Sequence, residues 1–144
     1  MDCRAVPSFA TAGAPAGTPP LRVLLVEDSA AVAERIAWQI DSIDGVELVA
    51  TVSSEDAAIR ALTNGGVDAV VLDLTLEQGS GFGVLRAAQQ LAAPVEIVVF
   101  TSYDIPAYRR AADAFGARKF LNKARDQGNL VEYLADLALG AATA

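Results

Sequence analysis

The chain has 144 residues, 18 of them acidic and 11 basic, and its formal net charge of −7 repels nucleic-acid phosphates and anionic lipid. It has no histidine, which excludes histidine nucleophiles, histidine bases and most zinc centres, and its one cysteine, Cys3, cannot form an internal disulfide. Hydrophobic residues make up 53% of the chain, enough for one sizeable core, and charges interrupt every apolar run before it reaches membrane-spanning length, so a single cytoplasmic domain is expected.

Residues 1–20 combine Pro, Gly, Ala and Thr without a continuous apolar stretch, which predicts a flexible N-terminal tail and not a signal peptide. From Leu21 to about residue 140 short apolar runs alternate with stretches of helical period. The first run, Leu21 to Val26, reads as a buried strand, and Ser29 caps a helix to about Ile43. Val46 to Val52 is the second strand, followed by a helix that starts at a capping-box-like Ser53 and Asp56 and stops at Gly65 and Gly66. Asp68 to Leu74 is the third strand, with a helix from about Gly81 to Leu91. Val95 to Thr101 is the fourth, with a helix from Pro106 to about Phe115, and Lys119 to Asn122 the fifth. Asp126 precedes a last helix whose Leu130, Leu134 and Leu137 share one face, and 141–144 form a C-terminal tail.

This rhythm predicts an α/β fold, a doubly wound five-stranded parallel sheet of flavodoxin-like order 2-1-3-4-5. Ligands of such sheets bind beyond the carboxyl ends of the strands. Those exits carry Glu27 and Asp28 after the first strand, Asp73 at the end of the third, Thr101 at the end of the fourth and Lys123 after the fifth. Three carboxylates in one crevice repel, and an acidic all-oxygen site suits Mg²⁺. A carboxylate so placed, with a lysine beside it, fits phosphoryl transfer. Gly79, Gly81 and Gly83 space as G-x-G-x-G, not as a nucleotide-binding loop, and read as a flexible loop and a helix start.

Four segments in this order carry a family resemblance: Leu25 to Ser29, Leu72 to Gly81, Phe100 to Ser102, and Phe115 to Lys123. Together they resemble the receiver domain of two-component response regulators over 21–140. The resemblance implies that Asp73 accepts a phosphoryl group from a sensor histidine kinase or phosphotransfer protein. It implies Mg²⁺ held by Asp28, Asp73 and the backbone carbonyl of Thr75, with Glu27 acting through water. Lys123 then pairs with Asp73 and the phosphoryl group, Thr101 bonds a phosphoryl oxygen, and Phe120 is the aromatic switch that follows Thr101. The output is a conformational shift read by a downstream protein, as a monomer or a phosphorylation-dependent dimer, with self-phosphorylation and self-dephosphorylation chemistry but no separate enzyme activity. Three positions depart from the family's commonest pattern: Glu77 and Ala124 stand where proline is frequent, and Phe120 where tyrosine is. The Lys123–Ala124 peptide, which precedes a proline in many relatives, is left as cis or trans.

Trp38 lies almost opposite a buried helix face of Val32, Ile36, Ile40 and Ile43, beside Ala31 and Arg35, which makes Trp38 and Arg35 candidates for a partner contact. The chain ends shortly after the last helix, so no output domain and no direct DNA binding are expected, although the same sequence fits a receiver cut from a longer protein. Two other readings stand beside this one. In a phosphorylation-independent, receiver-like scaffold the acidic site is vestigial. A Mg²⁺-dependent aspartyl-phosphate hydrolase of the haloacid dehalogenase type needs a second aspartate two residues after the nucleophile, where this chain has Thr75.

Overall fold

Apolar residues on both faces of three runs require cover on both sides of a sheet, and the chain provides it with five helices. The computed structural model describes residues 19–143; Cys3, the rest of the expected tail up to residue 18, and Ala144 lie outside the described residues. The elements are β1 (Leu21–Val26), α1 (Ala30–Asp41), β2 (Val46–Val52), α2 (Glu55–Asn64), β3 (Ala69–Leu72), α3 (Gly81–Ala88), β4 (Glu96–Thr101), α4 (Pro106–Ala114), β5 (Lys119–Asn122) and α5 (Gln127–Thr143). They form one five-stranded parallel sheet in the order β2-β1-β3-β4-β5, as the sequence predicts.

Every residue of β3 is buried, and the alternating side chains of the central strands feed two cores. On one face Val23, Leu25, Val71, Val98 and Phe100 pack against Ile36 and Ile40 of α1 and Leu130 and Leu134 of α5. On the other, Leu24, Val26, Val70, Leu72 and Val99 meet Leu62 of α2, Val84 and Leu85 of α3 and Ala112 of α4. Burying a Leu, Ile or Val side chain contributes roughly 1.5–3 kcal/mol, so these two layers dominate the stability. None of the helices among the described residues is long and apolar enough to cross a membrane.

Local signals placed most boundaries, but β3 is shorter than the expected Asp68–Leu74, α1 ends at Asp41 and not at Ile43, and four further points differ. The Ser29 side chain caps α1 by accepting from the Val32 N–H at 3.4 Å, but the buried face of that helix runs through Ala33, Ile36 and Ile40, with Val32 only partly buried. The cap of α2 is Ser54, not Ser53: its backbone is extended, its hydroxyl accepts from the Ala57 N–H at 3.2 Å, and Ser53 lies between it and the end of β2 at Val52. Helix α3 ends at Ala88, short of the expected Leu91, where single-turn hydrogen bonds replace the helical ladder ahead of Pro94. Helix α5 continues to Thr143, over part of the segment expected to be tail, since alanine is the strongest helix former and Gly140 alone does not stop it.

The start of α3 lies directly on the exit of β3. The Gly81 N–H donates to the Leu74 carbonyl at 3.0 Å, and a Cβ at Gly81 would collide with the Asp73 carbonyl oxygen and lie 2.6 Å from the Leu74 Cα. Both obstacles are backbone, so neither yields cheaply. Gly81→Ala is expected to destabilise the fold by about 1–3 kcal/mol, read as a lower urea midpoint at unchanged slope.

Candidate functional site

Each strand of the parallel sheet ends at the same edge, and the turns that follow β1, β3, β4 and β5 set their polar residues around one cleft of about 440 Å³. Glu27, Asp28, Ser29, Asp73, Thr75, Ser102, Tyr103 and Lys123 line it, as does Arg35 from α1. One carboxylate oxygen from each of Glu27, Asp28 and Asp73 can be chosen so that all three lie within 4.8 Å of one another. Glu27 and Asp73 are buried, at 3% and 7% exposure, and Asp28 is half-buried.

Lys123 holds this group together. Its Nζ lies 2.5 Å from the Glu27 Oε1 and 2.9 Å from the Asp73 Oδ2. Burial pushes the ammonium down in pKa, but the hydrogen bonds to Glu27 and Asp73 and their charges outweigh it, so the lysine is held above its ordinary value and stays protonated. The lysine is itself fixed by the turn after β5. Its backbone N–H donates to the Thr101 carbonyl at 2.9 Å, and the Asn122 side chain accepts from the Ala124 and Arg125 N–H groups at 2.8 and 3.2 Å. Asp126, read from the sequence as a helix start, accepts from the Asn122 N–H at 2.8 Å and ties the turn to α5. The Lys123–Ala124 peptide is trans, in line with the cost of about 2.5–4 kcal/mol for a cis bond before a residue other than proline.

Three of the four remaining carboxylate oxygens accept from backbone N–H groups. The Asp73 Oδ1 accepts from the Thr75 N–H at 3.1 Å and the Glu27 Oε2 from the Ser29 N–H at 3.1 Å. The Asp28 Oδ2 accepts from the Glu77 N–H at 2.6 Å, a bond that exists because residue 77 is not proline. Thr101 is fully buried at the end of β4, and its hydroxyl accepts from the Tyr103 N–H at 3.2 Å, which leaves its own proton free to donate elsewhere. Three carboxylates against the one lysine that touches them leave two negative charges, and at these separations each like-charged pair repels by on the order of 3 kcal/mol at an effective dielectric near 20. That donor set, all oxygen and doubly negative, fits a hard divalent cation.

The other candidates occupy the flanks. Phe120 on β5 is half-buried against the α2–α3–α4 core, and the Arg109 guanidinium lies 4.6 Å from its ring centroid. The sequence had not pointed to the cluster beside it: Asp104, in the turn after β4, pairs with Arg109 at 2.5 Å and with Arg125 from the β5–α5 turn at 2.6 Å. These partners lie far apart along the chain or share no helical spacing, so no local pattern reveals them. The Asp104 carboxyl is held below the usual range, first by its hydrogen bond to Arg109. Trp38 is 79% exposed on the outer face of α1, and Arg35, on the same helix, reaches the rim of the acidic cleft.

The model of the response regulator receiver domain family matches residues 23–135. Among curated proteins the chain is 33% identical over 105 residues to protein-glutamate methylesterase/protein-glutamine glutaminase 5 of Myxococcus xanthus, covering 72% of this chain and 30% of that protein. It is 33% identical over 113 residues to the photosynthetic apparatus regulatory protein RegA of Rhodobacter capsulatus, covering 78% and 60%. It thus spans less than two thirds of either relative. Among solved structures, a LuxR-family two-component response regulator from Aurantimonas sp. superposes with a TM-score of 0.77 at 28% identity, over 84% of this chain and 86% of that one. The response regulator domain of Thermotoga maritima CheB superposes with a TM-score of 0.74 over 87% and 98%; at 20% identity that likeness speaks to the fold alone.

Proposed function

The chain belongs to the response regulator receiver domain family, and on that premise we propose that it accepts a phosphoryl group on Asp73 from a sensor histidine kinase or phosphotransfer protein. The observation that carries this reading is Lys123 bridging Asp73 and Glu27 while Asp28 stands within the same carboxylate group. An Asp73 carboxylate oxygen attacks phosphorus as the bond from phosphorus to the donor's histidine nitrogen breaks, and the histidine leaves with the electron pair. Asp28, Asp73 and the backbone carbonyl of Thr75 would hold Mg²⁺, with Glu27 reaching it through water. When bound, the ion supplies positive charge to the equatorial oxygens of the transferring group.

Lys123 follows its charge partner from the carboxylate to the phosphoryl group, and the Thr101 hydroxyl donates to a phosphoryl oxygen. Ser102, which lines the cleft with a small side chain, leaves room for the group. The displacement of Thr101 is passed to Phe120, whose inward turn requires the Arg109 guanidinium to leave its ring. Signal output is then a change at the surface of α4, β5 and α5, read by a downstream protein in the cytoplasm. The receiver works as a monomer or as a dimer formed on phosphorylation. The residues 21–140 form the receiver unit.

Incubation of the chain with acetyl phosphate and Mg²⁺, followed by intact mass measurement, tests the proposal. One phosphoryl adduct that disappears with EDTA supports it. No adduct, with beryllium fluoride also failing to bind, overturns it in favour of the phosphorylation-independent scaffold. The exposed Trp38 carries a separate prediction. Trp38→Ala is expected to leave the thermal midpoint unchanged and slow phosphotransfer from the cognate kinase about tenfold or more, as removal of an aromatic anchor does at other interfaces. Unchanged phosphotransfer would remove Trp38 from the kinase contact.

A further inference from the structure

The glycines of the G-x-G-x-G stretch make room for a side chain from another helix. A Cβ at Gly79 or at Gly83 would collide with Glu55, in each case 2.7 Å from its Oε1. Gly79 also has a φ of +92°, where an L side chain is strained. Glu55 is the first residue of α2, and its Oε1 accepts from the Ser80 N–H at 2.9 Å, at the start of α3. Its own N–H donates to the Gln78 carbonyl at 3.1 Å, and Ser54 pairs with Gln78 in an isolated parallel bridge. Ser80 pairs back onto Thr75, while Glu77, between them, donates its N–H to the Asp28 Oδ2 at 2.6 Å. One four-residue segment, 77–80, is therefore gripped from α2 on one side and holds Asp28 on the other.

We propose that Glu55 is a positioning residue for the divalent-cation site. By fixing segment 77–80 through Gln78 and Ser80, it sets where the Glu77 N–H holds Asp28 and how Thr75 sits beside Asp73. Gly79 and Gly83 are required because any side chain there displaces its carboxylate. This rests on the reading of Glu27, Asp28 and Asp73 as a Mg²⁺ site. Groups that orient metal ligands through hydrogen bonds commonly change metal affinity by 10- to 100-fold when lost. Glu55 acts one step further out, through the backbone of the loop.

The test is Mg²⁺ titration of the full chain by calorimetry, with thermal melts on the same samples. Glu55→Ala is expected to weaken Mg²⁺ binding about tenfold. Glu55→Gln keeps an oxygen acceptor for Ser80 and is expected to bind like the parent. Gly83→Ala is expected to weaken binding as Glu55→Ala does, and the double variant Glu55→Ala/Gly83→Ala to be no weaker than Glu55→Ala alone, because the methyl then fills the space the carboxylate left. Leu62→Ala, in the core face of the same helix, lowers stability without touching the loop and is expected to leave Mg²⁺ affinity unchanged. Should Glu55→Ala not fold, Glu55→Asp, one methylene short of Ser80, carries the same expectation. A parent chain that binds Mg²⁺ and a folded Glu55→Ala that binds it equally well overturn the proposal alone. A parent that binds no Mg²⁺ overturns the site reading, and this proposal with it.

Discussion

Asp73→Asn is expected to abolish the Mg²⁺-dependent phosphoryl adduct completely while leaving the chain folded. Asparagine has nearly the shape of aspartate and keeps an oxygen that can accept from the Thr75 N–H or the Lys123 ammonium, as Asp73 does at 3.1 and 2.9 Å. It lacks the anionic oxygen that attacks phosphorus, and the site offers no equivalent substitute. Glu27 is committed to Lys123 at 2.5 Å, and Asp28 to the Glu77 N–H at 2.6 Å. Stability is expected to move the other way. Removing one charge from a group of three relieves two like-charged contacts, each worth on the order of 3 kcal/mol at an effective dielectric near 20, which slightly outweighs the one attraction to Lys123 that is lost, and it leaves Glu27 with Lys123 to itself. Thermal melts without Mg²⁺ are therefore expected to show a midpoint at or above that of the parent. An adduct that persists in Asp73→Asn would place the phosphoacceptor elsewhere. A midpoint well below the parent's would mean that Asp73 is held by more than the two bonds described.

Lys123→Met is expected to produce the largest loss of stability, about 3–5 kcal/mol at neutral pH, because it strands Glu27 and Asp73 as buried carboxylates without their shared cation. Methionine preserves much of the side-chain volume, so the loss reports charge more than packing. Urea denaturation at constant slope reads it. Added Mg²⁺ is expected to recover part of it, since a cation that binds only the folded state stabilises that state and the variant presents a more negative site.

The pH dependence follows from the raised pKa of Lys123. A lysine held above its unfolded value contributes its full stability below the ordinary 10.5 and loses it as pH rises through the folded value. The difference between parent and variant is thus expected to stay level across the neutral range and to close in the alkaline range above 10.5, where the parent's own ammonium deprotonates. A difference that already closes near neutral pH would mean that the lysine is not held by the two carboxylates.

The order of the strands, the burial of β1, β3 and β4, and the exits of Glu27, Asp28, Asp73, Thr101 and Lys123 all follow from period and punctuation, which neighbouring residues write locally. Parallel topology then leaves little freedom, because every strand of the sheet must end at the same edge. That is why the convergence of residues up to 96 positions apart, Glu27 to Lys123, in one candidate site is legible in the sequence. Ser53 and Ser54 offer the same hydroxyl to cap α2, and only the end of β2 decides between them.

What the tertiary structure alone decided concerns partners that no local pattern specifies. Asp104 with Arg109 and Arg125 forms only when two loops meet at the sheet edge. The Glu77 N–H finds Asp28 only because the β3–α3 loop meets the turn after β1. The spacing of Gly79 and Gly83 is plain in the sequence, yet its reason, the carboxylate of Glu55 entering from α2, is not. Secondary structure is set by interactions within a turn or a strand, whereas a hydrogen bond between loops depends on distances that the packed sheet and its helices impose.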